Sequence, residues 1–175
     1  MQAADICQHF AQCFECDYQT RLVGGASEPL YQPATAAADF HQVLFREDYA
    51  ASALHEAAHW CIAGPARRRQ TDYGYWYEGN RDLPTQRRFE QAEEKPQALE
   101  WLFSVAAGLP FRVSCDNFDP DVLDLPRFRQ CVQVAAIHWV QQGLPRRAER
   151  LARAFIANTG NHHALDALTY QAGPP

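Results

Sequence analysis

The chain contains the stretch SALHEAAHWCIAG, which runs from Ser52 to Gly64 and includes the pentad His55-Glu-Ala-Ala-His59. Alanine, leucine, tryptophan, cysteine and isoleucine surround the pentad, a pattern typical of a buried helix. Side chains four residues apart lie on the same helical face, so both imidazoles can face one point. The pentad is therefore a candidate metal site, with Glu56 beside the two histidines. The alternative is a pair of surface histidines, or two core histidines with ordinary hydrogen-bond partners.

A second helix supplies candidates for the third ligand. The sequence predicts a helix over residues 85–107, in which Glu90, Glu93, Gln97 and Glu100 recur at helical spacing on one face. Such a polar stripe usually faces solvent, but the apolar neighbours of this one favour a buried position. We expect one of these glutamates to complete the site. Glu93 is the first choice because it is central in the stripe, and Glu90 and Glu100 are the alternatives.

The remaining patterns indicate an α+β fold: a mostly helical single domain with a small irregular sheet, in which the pentad helix packs against the long glutamate-bearing helix. Further helices are predicted over residues 3–14, 126–142 and 147–158, and short strands over residues 20–23, 30–31 and 43–45. Asp48 or Ser52 is expected to cap the pentad helix, and His138 is expected to be a core histidine and not a ligand. Residues 1–175 are expected to form one catalytic domain whose tail, from about residue 160, is loosely held.

Composition excludes several classes of function. The chain has 175 residues, of which 47% are hydrophobic and 21% charged, and its net charge is −5. It lacks the basic surplus typical of nucleic-acid-binding domains, and it has neither a signal-peptide pattern nor an apolar run of membrane-spanning length. Its six scattered cysteines are expected to be reduced, as in a cytoplasmic protein.

Two further segments are candidate substrate-binding sites. An aromatic run follows the pentad helix, and aromatic rings are known to face bound ammonium groups. Its members are Tyr73, Tyr75, Trp76 and Tyr77. Asp116 and Asn117 either line a site or form a simple turn. The basic run Arg67–Arg69 either complements the carboxyl end of the pentad helix or contacts an acidic partner.

Two histidines and one carboxylate serve two different chemistries. With zinc and with Glu56 as general base, they hydrolyse peptides. With iron(II) and open coordination positions, they form a facial triad for oxygenation. The chain lacks the longer metzincin motif, in which a glycine and a third histidine follow the pentad. Ile62 and Pro65 occupy those two positions. No histidine has an acid two residues later, which argues against a jelly-roll oxygenase dependent on 2-oxoglutarate. A metal that only stabilises a binding module is the third possibility.

The chain also resembles a known family. The pentad region from Ser52 to Arg68 is similar to that of the elongation factor P hydroxylase family (YfcM/EpmC). The likeness covers roughly residues 5–155 and is weakest in the tail. Its other motifs are Thr20-Arg-Leu22, Glu28-Pro29, Tyr73-Gly-Tyr-Trp-Tyr77, Arg81-Asp82, Phe89-Glu90, Glu93, Lys95-Pro-Gln-Ala-Leu99, Trp101-Leu-Phe103, Ala106-Ala-Gly108 and Ser114-Cys-Asp-Asn117.

The resemblance implies an oxygen-dependent protein-lysine hydroxylase, a monooxygenase that acts on elongation factor P after its lysine has received a β-lysyl group. It implies that His55, His59 and Glu93 bind the metal, and that Glu56 is a nearby acid or proton relay. Iron(II) is the expected metal and dioxygen the co-substrate, with zinc as the alternative metal. The cationic β-lysyl-lysine arm would enter a groove lined by spare glutamates and by the aromatic run, while Arg67–Arg69 would meet an acidic surface of the factor.

Overall fold

Five α-helices and a three-stranded sheet form the part of the chain that the computed structural model describes, which comprises residues 1–36, 38–72, 81–115, 117 and 124–175. The α+β prediction is confirmed, and the helices dominate. In chain order the elements are α1 (Ala3–Tyr18), β1 (Thr20–Ala26), β2 (Leu30–Gln32), β3 (His41–Arg46), α2 (Ala50–Ile62), α3 (Leu83–Ala107), α4 (Leu125–Gln142) and α5 (Arg146–Thr159).

The sheet sets the position from which α2 starts. Its strand order is β1-β3-β2, with β3 parallel to β1 and antiparallel to β2. Leu22, Val43 and Phe45 face the core from its inner side. The register of β1 shifts at Gly24, where a Cβ atom would lie 2.7 Å from the carbonyl oxygen of Glu47. Only glycine allows this approach, which brings the end of β3 and the start of α2 close to β1.

Helix α2 begins without the side-chain cap that the sequence predicted. We expected Asp48 or Ser52 to cap it, but the helix starts at Ala50 and its N-cap residue, Tyr49, makes no capping hydrogen bond. Ser52 instead lies within the first turn, where its hydroxyl accepts a hydrogen bond from the main-chain nitrogen of Arg46 at 3.1 Å. The cap prediction is wrong because this hydroxyl ties the helix to β3.

Helix α3 spans Leu83–Ala107 and has clear signals at both ends. The Asp82 side chain accepts a hydrogen bond from the main-chain nitrogen of Thr85 at 3.0 Å, and Gly108 ends the helix with a φ of 69°. Both devices satisfy backbone groups that the helix itself leaves unpaired. The glutamate stripe of α3 is buried rather than solvated. Helices α2 and α3 pack against each other, so this stripe faces the pentad.

The last two helices also pack against α3. Helix α4 buries Phe128, Val132 and Ala136, and α5 buries Leu151 and Phe155 among others. The sequence also favoured a core position for a histidine of α4. That prediction is wrong: His138 is exposed, because it lies on the opposite side of the helix from the buried stripe.

Two observations bear on the surroundings of the protein. All six cysteines are free thiols, as expected from their scattered positions. Among the described residues, no helix has both the length and the apolar character that crossing a membrane requires.

The tail beyond residue 160 is packed on the domain and not loosely held. It forms two short 3₁₀ helices, and Tyr170 is fully buried. The Tyr170 ring meets that of Trp101 edge to face at 4.8 Å, and its hydroxyl donates a hydrogen bond to the carbonyl oxygen of Ala164 at 2.7 Å. A buried aromatic side chain with a satisfied hydroxyl is thus a main anchor of the segment. The expectation of a loose tail missed this anchor.

We expect Tyr170→Ala to lower the free energy of unfolding by about 3 to 5 kcal/mol, because it leaves a large cavity beside Trp101. Leu168→Ala is the matched control, since Leu168 is in the same segment but 67% exposed, and its effect should stay within about 0.5 kcal/mol. Urea denaturation of the two variants measures both values. Equal stabilities would mean that the tail contributes little to the fold.

Candidate metal centre

One face of α2 brings the two histidines of the pentad together. The ring centroids of His55 and His59 are 4.7 Å apart, and their Nε2 atoms approach to 3.1 Å. Four-residue spacing puts the side chains one turn apart, and the surrounding alanines leave room for both rings. Two ring nitrogens converge on one point, which is the arrangement that a shared cation requires.

Helix α3 adds a carboxylate at the same point. Glu93 Oε1 lies 3.2 Å from His59 Nε2, and Glu93 Oε2 lies 3.5 Å from His55 Nε2. The side chain is buried, and its Oε2 atom has no hydrogen-bond partner. An unsatisfied buried carboxylate oxygen is unfavourable unless something else binds it. His55, His59 and Glu93 form a group able to hold a metal ion.

The distances fit a first-row divalent metal. An ion about 2.1 Å from each nitrogen or oxygen donor needs donor atoms about 3.0 to 3.4 Å apart, depending on the coordination angle. The Nε2 atoms of the two histidines are 3.1 Å apart, and the histidines approach different oxygens of Glu93, His59 at 3.2 Å from Oε1 and His55 at 3.5 Å from Oε2. These separations lie within or just above that range. Three donors on one side leave further positions open for water or substrate, as in catalytic sites.

Glu100, an alternative third ligand in the sequence prediction, has a different position. Its Oε2 atom lies 2.8 Å from Nδ1 of His55, on the side of the ring that faces away from Glu93. The carboxylate oxygen accepts a hydrogen bond from His55, so this contact keeps a proton on Nδ1 and leaves Nε2 facing Glu93 and His59. Glu100 therefore orients the ring of His55.

Glu90, the other alternative, is occupied elsewhere. One of its carboxylate oxygens pairs with Arg127 Nη1 at 2.7 Å, and the other accepts a hydrogen bond from Gln86 Nε2 at 3.2 Å. Both partners lie away from the histidines, and they join the stripe on α3 to the start of α4. Of the three glutamates of the stripe, only Glu93 has a fully buried oxygen without a hydrogen-bond partner.

The carboxylates and the imidazoles of the cluster stabilise each other's charged forms. Burial by itself lowers the pKa of His55, but the hydrogen bond with Glu100 and the charges of Glu100, Glu93 and Glu56 raise it to about 10. Burial by itself raises the pKa of Glu93, but the hydrogen bond with His59 and the charges of both imidazoles lower it to about 2. Carboxylates outnumber imidazoles here, so the cluster attracts positive charge, whether protons or a metal ion.

A cavity of about 920 Å³ opens onto this cluster. His55, His59 and Glu93 line it, and so do Glu56 and Asn117. Burial raises the pKa of Glu56, and the two histidines offset that only in part. A cavity of this size holds a long flexible side chain and still leaves the metal-binding group accessible.

Most of the candidate substrate-binding residues lie outside the described part of the chain. They are Tyr73, Tyr75, Trp76, Tyr77 and Asp116. Asn117 is described: its side-chain nitrogen donates to the carbonyl oxygen of Arg81 at 3.2 Å and to Oε1 of Gln86 at 3.0 Å. It thus lines the cavity while being held by residues at the start of α3.

Comparison with known proteins shows which family the chain is similar to. The profile of the family described as elongation factor P hydroxylase matches residues 9–168. A protein of Haemophilus influenzae named elongation factor P lysine hydroxylase is 45% identical over 154 residues, which cover 87% of this chain and 86% of that protein.

This chain belongs to the elongation factor P hydroxylase family. The resemblance inferred from the sequence is thereby confirmed. Neither comparison supports the metallopeptidase alternative.

Sequence reasoning missed some of the residues that hold the site of this hydroxylase-family member together. Gln97 makes two hydrogen bonds with the main chain of Ser114, at 2.7 and 3.0 Å, and so fixes one cavity wall to α3. Arg81 is buried and donates to Gln86 at 2.9 Å and to the carbonyl oxygen of Cys115 at 2.6 Å. Gln97 was visible as a member of the stripe, but nothing near Arg81 in the sequence indicated these partners.

Glu100→Gln is expected to weaken metal binding by about 10- to 100-fold without abolishing it, because the amide no longer fixes the tautomer of His55 as a carboxylate does. Glu94→Gln is the matched control, since Glu94 lies on the same helix outside the stripe. Competition titration with a chelator of known affinity measures the change. If Glu100→Gln loses as much affinity as removal of a direct ligand, the assignment of Glu100 as an orienting residue fails.

Proposed function

We propose that this chain hydroxylates the β-lysylated lysine of elongation factor P, using a metal ion held by His55, His59 and Glu93. The observation that carries the proposal is the convergence of these three donor groups, in a chain of this family, at a cavity large enough for the modified side chain. The relative from Haemophilus influenzae is named for a reaction on the same factor, which supports the choice of substrate.

Iron(II) is the metal that suits the reaction. A redox-active ion with two histidines and one carboxylate supplies dioxygen activation, which zinc does not. The fold supports a mechanism independent of 2-oxoglutarate, because the described residues form a helical domain with a three-stranded sheet and not a jelly roll.

Three glutamates around the site have different roles in the proposed reaction. Glu100 holds His55 in the tautomer that exposes Nε2, and the buried Glu93 supplies negative charge at the same point. Glu56 lines the cavity, and burial raises its pKa, which favours a role as a group that holds a proton beside the substrate and passes it on. The translation factor is a protein of the cytoplasm, where we propose that this reaction takes place.

The test of this proposal is mass spectrometry of β-lysylated elongation factor P. The factor is incubated with protein loaded with iron(II) under exclusion of oxygen, and isotopically labelled dioxygen is then added with a chemical reductant. We expect one added oxygen atom, carrying the label, on the modified lysine. A factor of unchanged mass overturns the proposal, and cleavage of the factor by zinc-loaded protein favours the metallopeptidase instead.

We expect the metal affinity to rise with pH by at least about tenfold per unit between pH 6 and 8. Because the pKa of His55 is raised to about 10, its imidazole holds a proton throughout this range, and the proton must leave when Nε2 binds a metal. Glu93 adds nothing to the slope, since its pKa of about 2 keeps it ionised. Titrations at three pH values measure the affinity, and calorimetry in buffers of different ionisation enthalpy counts the protons released. A flat profile would contradict the charge state assigned to His55.

A further inference from the structure

A second cavity lies on the surface between α1 and α5 and is strongly basic. It has a volume of about 330 Å³, and three of its six lining residues are arginines. The lining residues are Phe14, Asp17, Tyr18, Arg146, Arg147 and Arg150. The chain as a whole has a net charge of −5, so this concentration of positive charge is a local feature and does not reflect the composition.

The basic surface continues to the rim of the metal-site cavity. Arg68 lines the large cavity and Arg147 the small one, yet both donate to the carbonyl oxygen of Ala63, at 3.3 and 2.5 Å. Between the two cavities stand Tyr18 and Trp60, whose rings meet edge to face at 5.4 Å. Both guanidinium groups lie within 6 Å of both of these rings. We call this surface the cationic ridge; it comprises Arg67, Arg68, Arg146, Arg147 and Arg150.

Acidic residues neutralise the cationic ridge only in part. Arg67 pairs with Asp72, and Arg150 pairs with Asp17 at 2.5 Å. Within the described ranges of the chain, the other three arginines of the ridge form no ion pair, which leaves a surplus of three positive charges.

The hydrogen-bond partners of Arg147 are uncharged, so they do not reduce this surplus of positive charge. Its Nη2 atom donates to the carbonyl oxygens of Trp60, Cys61 and Ala63, which end α2, and its Nε atom is buried without a hydrogen-bond partner. Main-chain carbonyls satisfy hydrogen bonds but carry no net charge.

We infer that the cationic ridge is the docking surface for an acidic face of elongation factor P beside its modified lysine. The inference rests on the proposed function, because it takes the factor as the substrate. A lysine whose side chain reaches Nε2 of His55 must enter through the large cavity, so the body of the factor rests on the rim. Arg67 and Arg68 lie on that rim, and the ridge extends outward from them. Complementary charge at this position guides the factor to the site and sets its orientation.

The experiment measures binding separately from turnover. The ridge variant is Arg146→Glu/Arg150→Glu, which reverses two exposed arginines of the ridge. The matched control is Arg87→Glu/Arg88→Glu, which makes the same change in net charge at two exposed arginines of α3 that line neither cavity. The Kd for β-lysylated elongation factor P is measured for wild type and both variants at low and at physiological salt, and circular dichroism checks that each is folded.

We expect the ridge variant to weaken binding at least tenfold at low salt and to lose most of the salt dependence, while the control stays within about twofold of wild type. Equal effects of the two variants overturn the docking surface, as does a wild-type protein that does not bind the factor. A ridge variant that loses affinity only for inorganic phosphate or for an oligonucleotide overturns it as well. If wild type binds the factor and the ridge variant does not, but no oxygen is added, the proposed reaction fails while the docking surface stands.

Discussion

Glu93→Gln is expected to abolish stable metal binding, with an affinity loss well above the roughly 100-fold that follows from changing a residue that only orients a ligand. The substitution keeps the shape of the side chain but removes the negative charge that lies 3.2 Å from His59 Nε2 and 3.5 Å from His55 Nε2. The carboxylate oxygen without a partner would become an amide group with no suitable acceptor. Hydroxylation should fall below detection because the ion is lost.

The measurement is metal content after dialysis, read by elemental analysis, together with a chelator competition. Glu94→Gln is the control, because it makes the same chemical change at the next residue, which is not part of the buried stripe. We expect Glu94→Gln to keep one ion per chain. Retention of one ion by the Glu93 variant would remove Glu93 from the ligand set and leave the two histidines in need of another partner.

Glu56→Gln is expected to have the second largest effect and to act on turnover alone. Glu56 lies between the two histidines in sequence and lines the cavity, but it does not belong to the group able to hold the ion. Burial raises its pKa, as suits a group that holds a proton and passes it on. We expect kcat to fall by about 10²- to 10⁴-fold, the usual range for a lost acid or base, while metal affinity changes less than about threefold.

Steady-state assays on iron-loaded protein at saturating substrate measure kcat, and metal content is determined on the same samples. Glu56→Asp is a useful comparison, because it keeps the acid and shortens the side chain, and partial recovery is expected. Two results for Glu56→Gln would contradict this role. Loss of the metal ion would indicate that Glu56 is a ligand, and full activity would show that it takes no part in the reaction.

The sequence was most informative where helical periodicity applies. The four-residue spacing of His55 and His59 predicted that they share a face, and their Nε2 atoms lie 3.1 Å apart. Periodicity also placed the stripe of α3 on one face, and apolar neighbours indicated its burial. Both inferences concern a single helix, for which spacing alone determines direction.

Helical periodicity could not predict side-chain contacts that depend on how two helices pack against each other. Spacing could not show that Glu100 contacts the far side of His55 or that Glu90 pairs with Arg127, since all three glutamates share one face. Glu93 was preferred for its central position, and that preference remains a prediction about the ligand. The anchoring of the tail by Tyr170 could not be predicted for the same reason, because its partner Trp101 is distant in sequence.

The three donor groups come from two helices that meet only in the folded chain, which has a consequence for the amount of protein in a cell. An ion that binds the folded state and not the unfolded one stabilises folding by about 4 kcal/mol when its concentration is a thousand times its Kd. A shortage of the metal would therefore shift chains towards unfolding and proteolysis as well as leaving them inactive. The supply of the metal ion would therefore determine the amount of folded protein in the cell as well as the fraction of it that is active.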